Sequence, residues 1–522
     1  MLRIALRVSV VSLLCLAVAG PAFSQAEKKL EREVSPQKRE GKKKEAKQDQ
    51  VKKKLEDQSS VTTGSVTIDG QEIPYTATAG TLVLKKENGD PLASVFYVAY
   101  TRNGVEDLTK RPITFTFNGG PGSSSVWLHL GALGPRLVRS DPEGNSLPPP
   151  FELVNNDYSI LDLTDLVFID PVTTGYSRAA AGVAPKRFHG IKEDIESVGE
   201  FIRLYATRNE RWSSPKFLAG ESYGTTRAAG LSGYLQTRRG MYLNGIVLIS
   251  SILNFGTVSF DRGNDLPFVM YLPTYTATAW FHHKLPADLQ RLPLGEVVGQ
   301  ARKFAGGDYT LALMQGDDMD EATTARIAEQ LARFTGLSLD YVRRTHLRVS
   351  IQRFVKELLR DEGRTVGRYD SRFEGLDYDS AGEKADYDPS YSIIRGSFST
   401  LFKNYVRSQL KFKSDLPYEI LSGRVRPWSF AEYENEYVNV AETLRKAMTL
   451  NPDLRVMVAN GYYDLATPFF ATEYTFKHLG LHPSLRGHYA LKYFEAGHMM
   501  YLKESEHRKL RADLVEFYRQ AE

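Results

Sequence analysis

Gly220-Glu221-Ser222-Tyr223-Gly224 is the stretch that decides how this chain is interpreted. It has the form G-x-S-x-G, in which a serine sits on a strained turn between a strand and a helix and its hydroxyl points out of the sheet. Residues 215–219 before it have the pattern of a short strand, and residues 225–229 after it read as the start of a helix. Because about 0.1–0.2 such pentapeptides occur by chance in a chain of this length, the surrounding sequence has to support the motif.

The segments around this motif alternate between strands and helices. Helical periodicity runs over residues 191–206, and a C-terminal helix is predicted at about 504–519. The predicted strands of the alternating part are residues 112–117, 166–170, 244–250, 454–459 and 489–494. This order predicts an α/β fold with a mostly parallel central sheet that is covered on both faces.

The composition changes along the chain and predicts five segments. Residues 256–435 are rich in aromatic residues and in helical patterns, and they lack the alternation of strands and helices. We therefore expect them to form an insertion in a single core. The five segments are a signal peptide at 1–26, a charged disordered linker at 27–60, the first part of the core at 61–255, the mainly helical insertion at 256–435, and the second part of the core at 436–522.

The N-terminus has the pattern of a secretory signal peptide. Arg3 and Arg7 lie just before a short apolar run at residues 8–19, and small residues suited to cleavage follow at 21–26. The run is too short to span a membrane comfortably. Cys15 is the only cysteine of the 522 residues, so the mature chain would contain none. Since secreted eukaryotic proteins usually carry disulfides, we expect a bacterial exported protein that is periplasmic or secreted.

The positive charge is concentrated in the predicted linker. Residues 27–57 contain 12 Lys or Arg against 8 Asp or Glu, while the whole chain has a net charge of +4. The folded part is therefore not basic, and we do not expect it to bind nucleic acid. Contact between the linker and an anionic envelope surface remains open.

Catalysis by a serine requires a neighbouring base that is itself oriented by a carboxylate. In α/β-hydrolases these groups follow one another as Ser, Asp and His, each in a loop after a strand. Asp464 follows the strand that ends at Ala459, and His498 follows the strand at 489–494. The sequence thus predicts the triad Ser222, Asp464 and His498. The alternative for Asp464 is that it caps the helix after Pro468.

A glycine-rich loop, Asn118-Gly119-Gly120-Pro121-Gly122-Ser123-Ser124, follows the strand at 112–117. This is where the α/β-hydrolase fold places one amide of its oxyanion hole, and the other amide belongs to the residue after the nucleophile, here Tyr223. A phosphate-binding loop is the competing interpretation. It fails because the Gly-Lys-Ser/Thr ending of such loops is absent.

Together with Ala496-Gly497-His498-Met499, these motifs resemble the serine carboxypeptidase family. The resemblance implies an α/β-hydrolase fold with a helical cap over the active site. It implies Ser222 as nucleophile, His498 as base, Asp464 as its partner, and the amides of Gly120 and Tyr223 as the oxyanion hole. It further implies peptide substrates with a free C-terminus and no metal or organic cofactor.

The resemblance also implies how the substrate is held. Asn118 and Glu221 match the residues that bind the C-terminal carboxylate of the substrate. Two carboxylates lie together stably only if one binds a proton, so activity at acid pH is implied. An esterase or acyltransferase on the same scaffold, and a non-catalytic envelope protein, are the alternatives.

This chain departs from the family pattern at Thr116, where a tryptophan is usual, and at three further places. Ser123 stands where a cysteine is usual, and Ala132 stands where a second glutamate is usual. Met500-Tyr501 replaces the usual aliphatic residue and proline after Met499. Arg136 would bind the substrate carboxylate if it pointed into the site; otherwise it is an exposed or structural arginine.

Overall fold

The computed structural model describes residues 55–521. The predicted signal peptide and nearly all of the predicted linker lie outside that range. Within it, no helix is long and apolar enough to cross a membrane. The first strand begins at Gln58, so the end of the segment assigned to the linker belongs to the sheet. Gln58 pairs with Thr81 on the next strand. The linker was predicted from amino-acid composition, which gives no information on pairing between strands.

The described residues form fourteen strands. Their bounds are β1 Gln58–Ile68, β2 Gln71–Lys85, β3 Pro91–Arg102, β4 Ile113–Phe117, β5 Arg136–Val138, β6 Leu153–Asn155, β7 Asp165–Ile169, β8 Arg178–Ala179, β9 Lys216–Glu221, β10 Gly245–Ile249, β11 Arg364–Val366, β12 Glu374–Leu376, β13 Arg455–Gly461 and β14 Tyr489–Phe494.

The same residues form fourteen α-helices. Their bounds are α1 Val126–Leu128, α2 Ile191–Arg208, α3 Tyr223–Arg239, α4 Leu266–Phe281, α5 Ala287–Gln290, α6 Leu294–Phe304, α7 Thr310–Gln315, α8 Glu321–Thr335, α9 Leu339–Arg344, α10 Ile351–Glu357, α11 Pro389–Ser408, α12 Ala441–Leu450, α13 Phe469–Lys477 and α14 Glu504–Ala521.

One large mixed sheet organises the fold. Its strands follow the order β1-β2-β3-β7-β4-β9-β10-β13-β14, and β8 pairs with β3. β1, β2 and β3 pair antiparallel, whereas β7, β4, β9, β10, β13 and β14 are parallel to one another. The predicted α/β fold with a mostly parallel sheet is confirmed. Because the carboxyl ends of parallel strands meet at one edge, the residues that follow β4, β9, β13 and β14 come together there.

Alternate side chains of the parallel strands enter two cores on opposite faces of the sheet. In β10, Ile246 and Leu248 share a core with residues of α2, α3 and α12. Val247 and Ile249 of the same strand share the other core with residues of α11 and α14. Burial on both faces explains why these strands are continuous apolar runs in the sequence.

Residues 256–435, predicted as one helical insertion, pack in two parts. Helices α4 to α10 build a core of their own, which also takes in Tyr463, Leu465 and Phe469 from the chain after β13. Helix α11 instead packs on the core of the sheet. β11 and β12 form an antiparallel pair within this region, and strands of three residues are too short for the sequence pattern to reveal. We call α4 to α10 with β11 and β12 the cap.

Candidate active site

Ser222 lies on a strained turn between β9 and α3. Its φ is 60° and its ψ is −130°, and such a conformation costs about 1–3 kcal/mol for a residue with a side chain. The turn is held because Ser222 N donates to Ile249 O at 3.0 Å, and Thr225 N donates to Ser222 O at 2.8 Å. A Cβ on Gly220 would lie 2.3 Å from Gly224 O, so the close approach of strand and helix requires glycine.

The glycine loop, residues 118–125, packs directly on this turn. A Cβ on Gly119 would lie 2.4 Å from Tyr223 N, so only glycine fits there. Gly120 has a φ of 103°, in the region that favours glycine. Within residues 55–521, the backbone amides of Gly120 and Tyr223 donate no hydrogen bond. Two unused amides beside the predicted nucleophile have the arrangement that an oxyanion hole requires.

A buried arginine ties the glycine loop to the helix that follows Ser222. Arg227 Nη1 donates to Asn118 O at 2.7 Å. Its Nε forms an ion pair of 2.7 Å with Asp194 of α2, and both side chains are almost fully buried. Removing one member of such a pair typically costs about 3–5 kcal/mol. The position of Asn118 is therefore coupled to the stability of the core.

Asp464 and His498 meet as predicted from their loops. Asp464 is fully buried, and its Oδ2 accepts a hydrogen bond from His498 Nδ1 at 2.8 Å. Its Oδ1 accepts from Ala466 N at 2.8 Å and from Thr467 N at 3.0 Å. Helix α13 begins at Phe469 without a side-chain cap, so Asp464 orients the histidine and does not cap that helix.

The same hydrogen bond defines which ring nitrogen of His498 carries the proton. Since a carboxylate only accepts, Nδ1 carries the proton and Nε2 keeps its lone pair. Burial acts to lower the pKa of His498, but the charges of Asp464 and Glu221 outweigh it, and the pKa is raised. Ser222 and His498 line one pocket. Among the described residues no hydrogen bond joins their side chains, and such bonds often tighten only when substrate binds.

Asn118 and Glu221 lie at the wall of this pocket. Asn118 Oδ1 accepts from Leu128 N at 3.1 Å, and its buried Nδ2 has no partner of good hydrogen-bond geometry among the described residues. Burial raises the pKa of Glu221 to about 7, against the charge of His498 and the hydrogen bonds from Tyr501 and Asn118, which lower it. An amide donor that is bound at most weakly to Glu221 and a carboxyl group that holds its proton near neutrality suit an anionic ligand.

Tyr501 contacts Glu221, a role that the sequence analysis did not assign to it. Its Oη donates to Glu221 Oε2 at 2.6 Å, and both side chains are buried. Ala132 supplies no charge, and its carbonyl accepts hydrogen bonds from Asn156 Nδ2 and His507 Nε2. A phenol thus contacts Glu221 in this chain. No local pattern links Tyr501 to Glu221, because they lie far apart in sequence.

Arg136 does not line the pocket. It lies beside Tyr75 and Tyr405, whose pKa values are raised by burial and lowered in part by its charge. The structural role of Arg136, left open by the sequence, is the one that the structure favours. Ser123 likewise has a local role, since its Oγ donates to Ser124 O and accepts from Trp127 Nε1.

Residues 367–372, which follow β11 of the cap, connect the loops of Asp464 and His498; we call them the strap. Leu465 N donates to Arg368 O at 3.1 Å, and His498 N donates to Tyr369 O at 2.6 Å. Asp370 Oδ2 accepts from Gly497 N at 3.0 Å. The sequence analysis missed this segment, because its contacts join positions about one hundred residues or more apart.

The pocket itself is narrow and mostly apolar. Its volume is about 40 Å³, close to the space of one or two water molecules. The strap contributes Tyr369, whose ring centroid lies 5.2 Å from that of His498. The other apolar and aromatic side chains at the wall are Trp127, Tyr391, Ile394, Leu421 and Met499.

Comparisons with known proteins agree with these motifs over part of the chain. Residues 70–254, which include the glycine loop and Ser222, match the family model described as serine carboxypeptidase. Serine carboxypeptidase-like 2 of Arabidopsis thaliana is 26% identical over 183 residues, 33% of this chain and 38% of that protein. A carboxypeptidase Y homolog of Arthroderma benhamiae is 28% identical over 176 residues, 32% of each chain. The chain spans well under half the length of these curated relatives.

The fold extends the similarity along most of the chain. The crystal structure of Kex1(delta)p, a prohormone-processing carboxypeptidase from Saccharomyces cerevisiae, is similar with a TM-score of 0.52 and 17% identity. The similarity covers 85% of this chain and 91% of that chain. The predicted α/β-hydrolase fold is therefore confirmed, and over residues 70–254 this chain is similar to the serine carboxypeptidase family.

Proposed function

We propose that this protein is a serine-type carboxypeptidase that releases C-terminal amino acids from peptides through an acyl-enzyme at Ser222. The observation that carries the proposal is the combination of two sites in one pocket. His498, which is hydrogen-bonded to the buried Asp464 behind it, lines the pocket with Ser222, and the same pocket is bordered by Asn118 and Glu221. A nucleophile and its base are thus combined with groups suited to a carboxylate.

In the proposed reaction, His498 Nε2 takes the proton of Ser222 Oγ as the oxygen attacks the carbonyl carbon of the last peptide bond. The amides of Gly120 and Tyr223 stabilise the oxyanion, each typically contributing about 3–4 kcal/mol. His498 then gives its proton to the leaving amine, and the C–N bond breaks. Water, activated in the same way, releases the acyl part and restores Ser222.

The proposed recognition of the C-terminus depends on which carboxyl oxygen of Glu221 carries the proton. Tyr501 donates to Oε2, so a proton on Glu221 belongs on Oε1. This O–H and Asn118 Nδ2 are then the donors to the carboxylate of the substrate. Such charge-assisted hydrogen bonds are each worth about 1.5–3 kcal/mol. A peptide with a C-terminal amide cannot form these bonds. Comparing its cleavage with that of the free acid therefore distinguishes a carboxypeptidase from an esterase.

The test compares the wild-type protein with Ser222→Ala on N-blocked dipeptides that are free acids, amides or esters. We expect Ser222→Ala to lower kcat for the free acid by a factor on the order of 10⁶. We expect the wild-type kcat/KM to be at least about tenfold lower for the amide than for the acid, because one charge-assisted bond is worth that much. Release of the C-terminal residue is followed by mass spectrometry.

Ser232→Ala is the matched control, since Ser232 lies on the same helix with its Oγ bonded to Ala229 O. It should retain activity. Equal rates on acid and amide would favour the esterase or acyltransferase. Retained hydrolysis in Ser222→Ala, or no labelling of Ser222 by a fluorophosphonate, would overturn the proposed mechanism.

We also propose that the protein is exported. The support is the pattern of residues 1–26, which lie outside the described residues. The only support for a bacterial source is the absence of cysteine from the predicted mature chain. The relatives named above do not add to it, since they come from a plant and a fungus. N-terminal sequencing of the mature protein should find a start near residue 27; an intact Met1 on the exported protein would contradict cleavage.

A further inference from the structure

A second cleft continues from the catalytic pocket. It has a volume of about 290 Å³ and shares Tyr369, Tyr391 and Leu421 with the pocket as common walls. Neither Asn118 nor Glu221 lines it. If the C-terminal carboxylate binds at those two residues, as in the proposed function on which this inference rests, another part of the peptide occupies the cleft.

Arg368 is the cation of this cleft. Its side chain is exposed, and its guanidinium carbon lies 5.3 Å from the centroid of the Tyr369 ring. Among the described residues it forms no ion pair. The other arginines nearby are paired: Arg360 with Glu357, Arg364 with Glu374, and Arg372 with Asp370. Arg368 therefore differs from its neighbours in having its charge available.

Asp388, the acidic residue that lines the cleft, is already hydrogen-bonded to backbone amides. Asp388 Oδ1 accepts from the backbone amides of Arg368 and Ser390, each at 3.1 Å, and so serves the start of α11. Its hydrogen bond with Arg368 involves the backbone, so the guanidinium, which contacts Tyr369, is not paired with this carboxylate. A guanidinium presents paired N–H donors that match a carboxylate, and the aromatic wall excludes water from one side of such a contact.

Arg368 also lies next to the catalytic groups. The following residue, Tyr369, accepts a hydrogen bond from His498 N and packs its ring on the imidazole. The backbone of Arg368 accepts from Leu465 N, beside Asp464. A side chain bound at Arg368 therefore belongs to a residue close to the bond that is cleaved.

We propose that the cleft around Arg368 is a subsite for an acidic side chain of the peptide substrate. The enzyme then prefers peptides with glutamate or aspartate near the C-terminus over their amide counterparts. The preference comes from contact between the guanidinium and the side-chain carboxylate, and it is separate from the recognition of the terminal carboxylate by Asn118 and Glu221.

The test uses pairs of peptides that carry Glu or Gln at each of the last three positions and are otherwise neutral. For the wild-type protein we expect a ratio of kcat/KM for Glu over Gln of about three to ten at one position. Arg368→Gln should bring that ratio to about one, and Arg368→Glu should favour Lys there instead. High salt should weaken the wild-type preference, since the pair is partly exposed.

The ratio is measured with one enzyme on two substrates, so a general loss of activity in a variant cancels. Arg395→Gln is the control, because Arg395 lies over the ring of Tyr391 but does not line the cleft; it should keep the wild-type ratio. A wild-type ratio near one at all positions, or an unchanged ratio in Arg368→Gln, overturns the subsite. Failure of the wild-type protein to release any residue, even from neutral peptides, overturns the proposed function instead.

Discussion

Glu221 is the residue whose environment has the most direct consequence for function. Burial raises its pKa to about 7, while His498, Tyr501 and Asn118 lower it in part. In the proposed recognition, the proton on Glu221 is needed to bind a carboxylate, and it is lost as the pH rises through about 7. We therefore expect KM for free-acid peptides to increase above that pH. At lower pH, protonation of His498, whose pKa is raised, reduces kcat.

The measurement is the pH dependence of KM for a free-acid peptide and for the matching ester, which lacks the terminal carboxylate. Tyr501→Phe removes a hydrogen bond that stabilises the ionised form of Glu221, so its pKa increases and the rise in KM moves to higher pH. Tyr158→Phe is the control, because that phenol contacts Glu504 at the surface. The assignment of Glu221 is wrong if acid and ester show the same pH dependence, or if Tyr501→Phe shifts the rise to lower pH.

Among the structural elements, the strap has the clearest role. It is held to the loops of both catalytic partners by backbone hydrogen bonds, and Arg372 Nη2 pairs with Asp370 Oδ2 at 2.7 Å. Gly497 packs against it so closely that a Cβ would lie 2.5 Å from the Cα of Asp370. The strap is therefore a positioning element for His498, and a larger residue at position 497 must move one of the two loops.

We expect Gly497→Ala to lower kcat by about 10- to 100-fold, because a displacement near 1 Å at a catalytic group has effects of that size. KM should change less, since Asn118 and Glu221 are held by other elements. Gly299→Ala on α6 is the control, as nothing lies within 4 Å of the added Cβ. Both variants are compared with wild type by steady-state kinetics and thermal unfolding; wild-type kcat in a folded Gly497→Ala variant would contradict the role of the strap.

In the whole molecule, both the cap and the chain that follows α11 are joined to loops of the sheet that carry residues of the candidate site. The core of the cap includes Tyr463 and Leu465, which flank Asp464. The chain that returns after α11 bonds to the glycine loop, where Ser124 N donates to Ile420 O at 2.9 Å and Ser422 N donates to Gly122 O at 2.8 Å. The described residues also form one compact unit. The cap is thus part of the folded core.

This connection predicts that cap and sheet unfold together. In hydrogen exchange followed by mass spectrometry at increasing urea concentration, peptides from α4 and from β9 should lose protection at the same midpoint, because shared contacts make one cooperative unit. The terminal helix α14, which packs on the sheet, provides an internal reference. Loss of protection in α4 at a clearly lower urea concentration than in β9 would identify the cap as an independent unit.

The sequence by itself determined the local chemistry. The turn at Ser222, the glycine loop and the order of Ser222, Asp464 and His498 after strands were all evident from short patterns, because strand periodicity and turn residues act over a few positions. Parallel strands bring their carboxyl ends together, so those patterns also predicted that Asp464 and His498 meet. The split of residues 256–435 between cap and sheet was not evident, because the helical pattern does not say which core a helix joins.

Only the tertiary structure decided which distant residues complete the site. Tyr501 beside Glu221 and the strap behind His498 depend on contacts between positions far apart in the chain, and so does the placement of Arg136 beside Tyr75, outside the pocket. No local propensity encodes such contacts, since they arise from the packing of whole elements against one another. The sequence thus specifies the proposed reacting groups, and the packing specifies their protonation, their orientation and the side chains that surround them.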